Sequence, residues 1–231
     1  LTILLGGAPA WKDLLEAARK HQLPIAPTYG MTETASQIAT LKPEEFLQGR
    51  SSCGRVLPHA RVTIRDEAGN PLAANQVGRV AIAAKSLMLG YFPHASMQPE
   101  FLTEDLGFLD EAGYLHIVGR RDCTIITGGE NVFPAEVEAA IRASGLVKDV
   151  YVLGTPDPDW GQAVTAVYVS AQDATREKLK AAIASHLCRY KHPKHWVAVE
   201  ELPRNAQGKV NRQRVMALLN HALHNPPTTS A

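Results

Sequence analysis

Several stretches of this chain gather side chains that could do chemistry. Thr32-Glu33-Thr34 puts a hydroxyl, a carboxylate and a second hydroxyl within three residues. Thr32 can donate to a phosphate oxygen, and Glu33 can hold a hard cation such as Mg²⁺. The same residue types also make a plain turn in which Thr32 or Thr34 acts as a cap. Asp105 lies among apolar neighbours in Phe101-Leu102-Thr103-Glu104-Asp105-Leu106-Gly107, where a carboxylate needs a partner. Vicinal ribose hydroxyls would serve, and so would a salt bridge or a turn cap. Lys209 stands on the glycine-containing turn of 202–210, suited to reaching an anionic substrate or to a solvated loop tip. Gly128-Gly129 allows positive φ or a close approach of another molecule to the backbone. Asp159-Trp160-Gly161-Gln162 sets an aromatic beside a glycine.

The elements that would position these residues follow from apolar spacing. Leu1–Leu5 reads as a buried strand closed by Gly6-Gly7-Ala8-Pro9. A helix over 11–21 puts Trp11, Leu14, Leu15 and Ala18 on one face, and 23–28 is a second strand. This β-loop-α-β unit builds parallel sheets, whose ligands bind at the carboxyl ends of the strands. The Gly6–Pro9 and Tyr29–Thr34 loops lie at those ends. From Ser51 to Leu115, short β-rich runs (61–65, 79–83, 114–118) alternate with turn signals, as in a small antiparallel sheet or barrel. Gly119–Asp122 is a charged connector, and Cys123–Thr127 is a β-branched run ending in the glycine pair. A helix starts near Pro134, where proline costs nothing and Glu136 and Glu138 suit the dipole. Locally this is a hairpin, loop and helix, or else a hinge between domains. Strands over 148–154, 163–170 and 196–199 and helices over 134–144, 175–187 and 212–223 complete an α+β domain; Val215, Leu218, Leu219 and Ala222 share a face of the last helix.

Length and composition bound the rest. The 231 residues leave room for two domains. The net charge of +1, from 24 basic and 23 acidic residues, gives no field for nucleic acid. No apolar run approaches the roughly 20 residues of a membrane helix. Cys53, Cys123 and Cys188 are scattered and odd in number, which speaks against a disulfide framework or a CxxC metal site and suits a reducing cytoplasm. Opening on Leu1 inside a strand-like run, the chain reads as the C-terminal part of a longer one, with a short disordered tail over 225–231.

Taken in this order, Gly6-Gly7-Ala8-Pro9, Tyr29-Gly30-Met31-Thr32-Glu33, Thr103-Glu104-Asp105, Gly119-Arg120-Arg121-Asp122, Gly128-Gly129-Glu130-Asn131 and Pro203-Arg204-Asn205…Gly208-Lys209 make the chain resemble the C-terminal half of the adenylate-forming, AMP-binding superfamily. That superfamily includes acyl- and aryl-CoA ligases, peptide-synthetase adenylation domains and firefly luciferase. Residues 29–38 and 203–206 are most similar to the branch that joins 2-succinylbenzoate to CoA in menaquinone and phylloquinone synthesis. The resemblance implies an α/β plus α+β fold: the end of a large parallel-sheet domain (1–50), a β-barrel-like antiparallel subdomain (51–118), a hinge (119–122), a compact α+β domain (123–223) and a tail (224–231).

It also implies ATP, Mg²⁺ and CoA as ligands, and adenylation of a carboxylate followed by thioester formation. Lys209 would neutralise the attacking carboxylate and the α-phosphate, Thr32 would bind a phosphate oxygen, and Glu33 would hold the metal. Gly6, Gly7 and Ala8 would shape the adenine and acyl pocket, with Tyr29 and Gly30 also on the nucleotide. Asp105 would take the ribose hydroxyls and Arg120 the ribose or its phosphate side. Asp122 would be the pivot, Gly128 and Gly129 would line the pantetheine tunnel, Trp160 would stack near the CoA nucleotide, and Ser36 would touch the acyl group.

The chain departs from the family pattern in three places. Glu104 replaces the glycine of Thr-Gly-Asp, Gly78-Arg79-Val80 replaces Gly-Glu-Leu or Gly-Glu-Ile, and nothing resembles the Ser/Thr/Gly-rich phosphate loop. The fragment alone is expected to be inactive. Two other readings stay open: an adenylation domain that loads a carrier-protein thiol, and a non-catalytic binding module.

Overall fold

The computed structural model describes residues 1–7, 10, 12–95, 99–171, 174–206 and 208–224. Ala8, Pro9, Trp11 and the expected tail from residue 225 lie outside them. The chain divides into two compact units, Leu1–Asp122 and the residues from Cys123 onward.

The first unit runs β1 (Ile3–Leu5), α1 (Lys12–Lys20), β2 (Ile25–Met31), β3 (Ser36–Thr40), α2 (Pro43–Leu47), β4 (Arg55–Val56), β5 (Ala60–Arg65), β6 (Gly78–Ala84), β7 (Gly90–Tyr91), β8 (His94–Ala95), β9 (Phe101–Leu109) and β10 (Leu115–Arg120). One sheet has the order β1-β2-β3-β4. Only its β1·β2 pair is parallel; β3 returns antiparallel to β2, and β4 to β3. A second sheet, β10-β9-β6-β5, is antiparallel throughout. Among the described residues no pair joins β10 to β5, so of the expected sheet or barrel it is an open sheet and not a closed barrel.

The two sheets pack through Ile38 and Ala39 on one side and Val62, Ile64, Val80, Ile82 and Leu115 on the other. A smaller cluster of Ala18, Ile25, Leu41, Phe46 and Tyr114 seats the two helices. In this chain β1 lies at the edge of its sheet, Leu4 is 58% exposed, and Leu5 packs against the helix-side cluster. Leu14 is likewise exposed.

The second unit runs β11 (Ile125–Thr127), β12 (Glu130–Val132), α3 (Pro134–Ala143), β13 (Val147–Asp157), β14 (Gly161–Ser170), α4 (Arg176–Ile183), β15 (His195–Val199) and α5 (Arg212–His224). Its sheet has the order β12-β11-β14-β13, with β15 added parallel to β14. Successive strand residues face opposite ways. Val164 and Ala166 therefore enter a cluster with Val137, Ile141, Leu179 and Ile183 of α3 and α4, while Val167 enters another with Val215 and Leu219 of α5. Both faces of β14 are covered, which is why 163–169 is an almost unbroken apolar run. Thr175 caps α4 by accepting the Lys178 N–H at 3.3 Å. Leu218 departs from the expected apolar face. It lies 100° round the helix from Leu219 and is 44% exposed, against 1% for Leu219.

That pair supplies a test of the fold. Leu219→Ala in this chain should lose about 2–5 kcal/mol by urea denaturation, whereas Leu218→Ala should change stability by no more than about 0.5 kcal/mol. Equal losses would mean that α5 does not dock through the Val215–Leu219 face.

Candidate functional site

Strand β2 extends to Met31, so Tyr29 and Gly30 are strand residues and not part of a loop. A bulge opens where Tyr29 pairs with Ala39 but Gly30 pairs with Gln37. A Cβ at Gly30 would fall 2.0 Å from the Ser36 carbonyl oxygen, so only glycine lets the two strands approach here. The turn that follows divides the labour of its two hydroxyls. Thr34 is buried; its Oγ1 accepts the Met31 N–H at 3.1 Å and donates to the Ser36 carbonyl at 2.7 Å. Thr34 is thus the structural cap, and Thr32 is left exposed. The return strand opens through Ala35 and Ser36 at φ 53° and 133°, a costly region for non-glycine residues, and Ser36 is exposed.

Gly6, Gly7, Gly30, Thr32, Ser36 and Gln37 line one open cleft of about 350 Å³. Thr28 and Met31 also line it, and sequence reasoning had not singled out these two or Gln37 as site residues. Glu33 is half-buried and sits beside the cleft residues. Its Oε1 accepts the Tyr91 hydroxyl at 2.6 Å, a bond that also raises the Tyr91 pKa. Among the described residues no group of three or more His, Cys, Asp or Glu gathers. Glu33 and Thr32 offer one carboxylate and one hydroxyl, and a Mg²⁺ that arrives with phosphates is commonly held by one or two carboxylates. A larger recess of about 450 Å³, lined by Glu45, Arg50, Ser51 and His116 among others, contains none of the predicted site residues.

Asp105 is buried, 8% exposed, in the middle of β9 and not in a turn. Three residues of β9, Thr103 to Asp105, face the single Val80 of β6, since Leu102 pairs with Ala81 and Leu106 with Arg79. Thr103 repairs the interrupted ladder: its Oγ1 donates to the Val80 carbonyl at 2.8 Å and accepts the Asp105 N–H at 3.0 Å. Bulges of this kind re-aim side chains beside functional sites. The carboxylate partners are Tyr29, whose hydroxyl donates to Oδ2 at 2.5 Å, and Arg120, whose guanidinium lies 3.4 Å from Oδ1. Burial, reinforced by the Asp105 charge, pushes the Tyr29 phenol far up, so it remains a donor at any working pH. Arg120 also makes a two-pronged bond to Asp122 at 2.9 and 2.8 Å. Tyr29, Asp105, Arg120 and Asp122 therefore form one connected network.

Two of the three departures from the family pattern turn out to be partners. Arg79 pairs with Glu104 at 2.6 Å and donates to the Thr103 carbonyl at 3.2 Å. A reversed charge on β6 is thus matched by a new carboxylate on β9. Arg121 of the connector reaches Glu67 at 3.2 Å and Glu104 at 4.0 Å.

In the second unit, Gly128 and Trp160 come together. Gly128 has φ +57°, and a Cβ there would fall 2.4 Å from the indole ring; its N–H donates to the Trp160 carbonyl at 3.0 Å. The indole stays 54% exposed. Its loop is fixed by Asp157, whose Oδ1 accepts the Asp159 and Trp160 N–H groups at 3.1 Å each. Asp157 Oδ2 takes the Lys194 ammonium at 2.6 Å, which holds that carboxyl below its usual range. Gln162 braces the loop from within by accepting the Ile126 N–H at 2.8 Å. Gly129, at φ +85°, has nothing within 4 Å of a built Cβ.

Lys209 sits on a separate turn. Its N–H donates to Asn205 Oδ1 at 2.9 Å and its carbonyl accepts the Asn205 N–H at 2.8 Å. Its ammonium makes no ion pair among the described residues; Gln207 of this turn lies outside them. Sequence reasoning missed Tyr91, Thr103, Asp157 and Lys194. Only Asp157 carried a local signal, an Asx residue three positions before Trp160.

Residues 1–92 match the AMP-binding enzyme family, and residues 136–209 match the AMP-binding enzyme C-terminal domain. A 2-succinylbenzoate–CoA ligase of Oceanobacillus iheyensis is 38% identical over 219 residues, covering 92% of this chain and 45% of that protein. The o-succinylbenzoate CoA synthetase of Bacillus subtilis in complex with its acyl-adenylate intermediate superposes with a TM-score of 0.85 at 34% identity, covering 93% of this chain and 45% of that one. The same enzyme with ATP and magnesium gives a TM-score of 0.84 at 35% identity, covering 94% and 46%. The chain thus spans a little under half the length of these relatives. With its two parts matched in order by the nucleotide-binding and C-terminal regions, the chain belongs to the AMP-binding, adenylate-forming enzyme family.

Proposed function

We propose that this chain supplies the nucleotide- and thiol-handling portion of a cytoplasmic, ATP-dependent 2-succinylbenzoate–CoA ligase. The observation that carries the reading is the single cleft in which Gly6, Gly7, Gly30, Thr32 and Ser36 meet, in a chain 38% identical to a ligase of that name. In the first half-reaction a carboxylate oxygen of the acid attacks the α-phosphorus of ATP, and pyrophosphate leaves. In the second, the CoA thiolate attacks the acyl carbon, and AMP leaves as the thioester forms.

The cleft glycines admit the adenine and the acyl group without side chains in the way. Thr32 donates to a phosphate oxygen, and Asp105 accepts ribose hydroxyls with Arg120 beside it. Mg²⁺, when bound, would neutralise phosphate charge, and Glu33 is the side chain that would hold it. Ser36 contacts the acid. Because two anions meet in the first step, a cation must offset both, and Lys209 takes that role. A unit charge pair at about 4 Å and an effective dielectric near 20 is worth roughly 4 kcal/mol, about three decades of rate if realised only in the transition state. Asp122 is the pivot about which the second unit turns between half-reactions. Gly128 and Gly129 line the pantetheine path, and Trp160 stacks near the CoA nucleotide.

In the full-length ligase carrying this chain, Lys209→Ala should cut 2-succinylbenzoate-dependent ATP–pyrophosphate exchange by about 10³ and largely spare thioester formation from supplied acyl-adenylate. Equal loss of both half-reactions would remove Lys209 from this role. Gly128→Ala forces a methyl onto the indole and a side chain into positive φ. It should slow thioester formation at least tenfold more than adenylation, read by single-turnover kinetics with and without CoA. Asp122→Pro fixes φ at the pivot and should likewise impair CoA transfer more than pyrophosphate exchange; unchanged transfer would count against a pivot here.

A further inference from the structure

We infer that the Tyr29 hydroxyl is a positioning group for the ribose carboxylate. It fixes one oxygen of Asp105 so that the other is presented to the nucleotide, and it thereby sets the preference for a fully hydroxylated ribose. The inference rests on reading Asp105 as the residue that accepts the ribose hydroxyls.

The geometry separates the two carboxylate oxygens. Oδ2 accepts the phenol at 2.5 Å, a charge-assisted bond at the short end of its class. Oδ1 has Arg120 at 3.4 Å, beyond a good hydrogen bond, and that guanidinium is already committed to Asp122 by two shorter bonds. An ionised carboxyl accepts about four hydrogen bonds, so Oδ1 keeps the capacity that a pair of vicinal hydroxyls needs.

Backbone geometry fixes the two partners independently. Tyr29 is the last regular residue before the β2–β3 bulge, and Asp105 closes the β6–β9 bulge with its N–H held by Thr103. The bond spans 76 residues of sequence and joins one sheet to the other. Without the phenol, the carboxylate would be free to rotate about its terminal torsion, which is broad for such groups.

The test uses the full-length ligase and calorimetric binding of ATP and of 3′-deoxy-ATP, with the apparent affinities compared. The wild-type protein should favour ATP. Tyr29→Phe, which removes one oxygen atom, should weaken ATP binding roughly tenfold, as the loss of one bond to a charged group does, and weaken 3′-deoxy-ATP binding much less. The preference would then collapse. In an Asp105→Asn background the preference should already be gone, and Tyr29→Phe should change it no further. Equal weakening of both nucleotides by Tyr29→Phe would mean that the hydroxyl supports the site without acting through the ribose hydroxyls, and unchanged ATP binding would mean that the bond is incidental; either overturns the inference. The underlying reading fails in a different way, if Asp105→Asn leaves the preference intact.

Discussion

A carboxylate enclosed between two sheets must be given hydrogen bonds, and much of the first unit is arranged to give them to Asp105. Leaving a buried charge unpaired costs several kcal/mol, comparable to the whole stability of a domain. Tyr29 from one sheet and Arg120 from the other reach the carboxylate, and Thr103 accepts the Asp105 N–H behind it. The apolar seam of Ile38, Val62, Val80 and Leu115 brings the sheets into contact, and the polar network fixes how the strands meet within it. A hydrophobic seam alone would tolerate a slip of register; a short bond from Tyr29 to Asp105 does not.

Irregularity of the strands is what turns this packing into a site. Regular pairing of β6 and β9 would leave Asp105 on the ladder with its N–H bonded to β6. Instead Thr103 substitutes its own hydroxyl for the missing ladder partners. The same logic governs the cleft. Gly30 allows the close approach, Thr34 absorbs the turn's orphan groups, and the strained Ala35-Ser36 pair starts β3. Each exposed group at the cleft, Thr32 and Ser36 among them, is available because a neighbour has taken over the structural task.

The sequence was most legible where a single local rule decides. Glycine pairs, the proline start of α3 and the strand over 163–170 follow from spacing and backbone preference alone. Candidate residues of the cleft could be named because glycine, threonine and serine stand in a recognisable order. What spacing could not convey were partnerships made by tertiary structure. Tyr91 lies 58 residues from Glu33 and Arg79 lies 25 from Glu104, and no local pattern couples them. Whether the alternating runs make an open sheet or a barrel was not legible, because alternation reports which face is apolar and carries no information on whether a sheet closes.

The pairs around the connector differ in kind from the bond that holds Asp105. Arg120 and Asp122 are each about half exposed, as is Arg121, and Glu67 is more so. Exposed pairs of this sort contribute about 0–1 kcal/mol each and weaken with salt. Tyr29 and Asp105 are enclosed, and Thr103 locks the backbone behind them. Arg120 therefore stands at a boundary: one side of its guanidinium faces an immobile carboxylate, and the other grips the residue where the first unit ends. Glu104 and Arg79, paired on β9 and β6, add a second weak hold through Arg121. The exposed ion pairs of the connector can break and re-form without disturbing the buried carboxylate. The reversed charge at Arg79 is met by the carboxylate that Glu104 introduces where the family pattern has glycine.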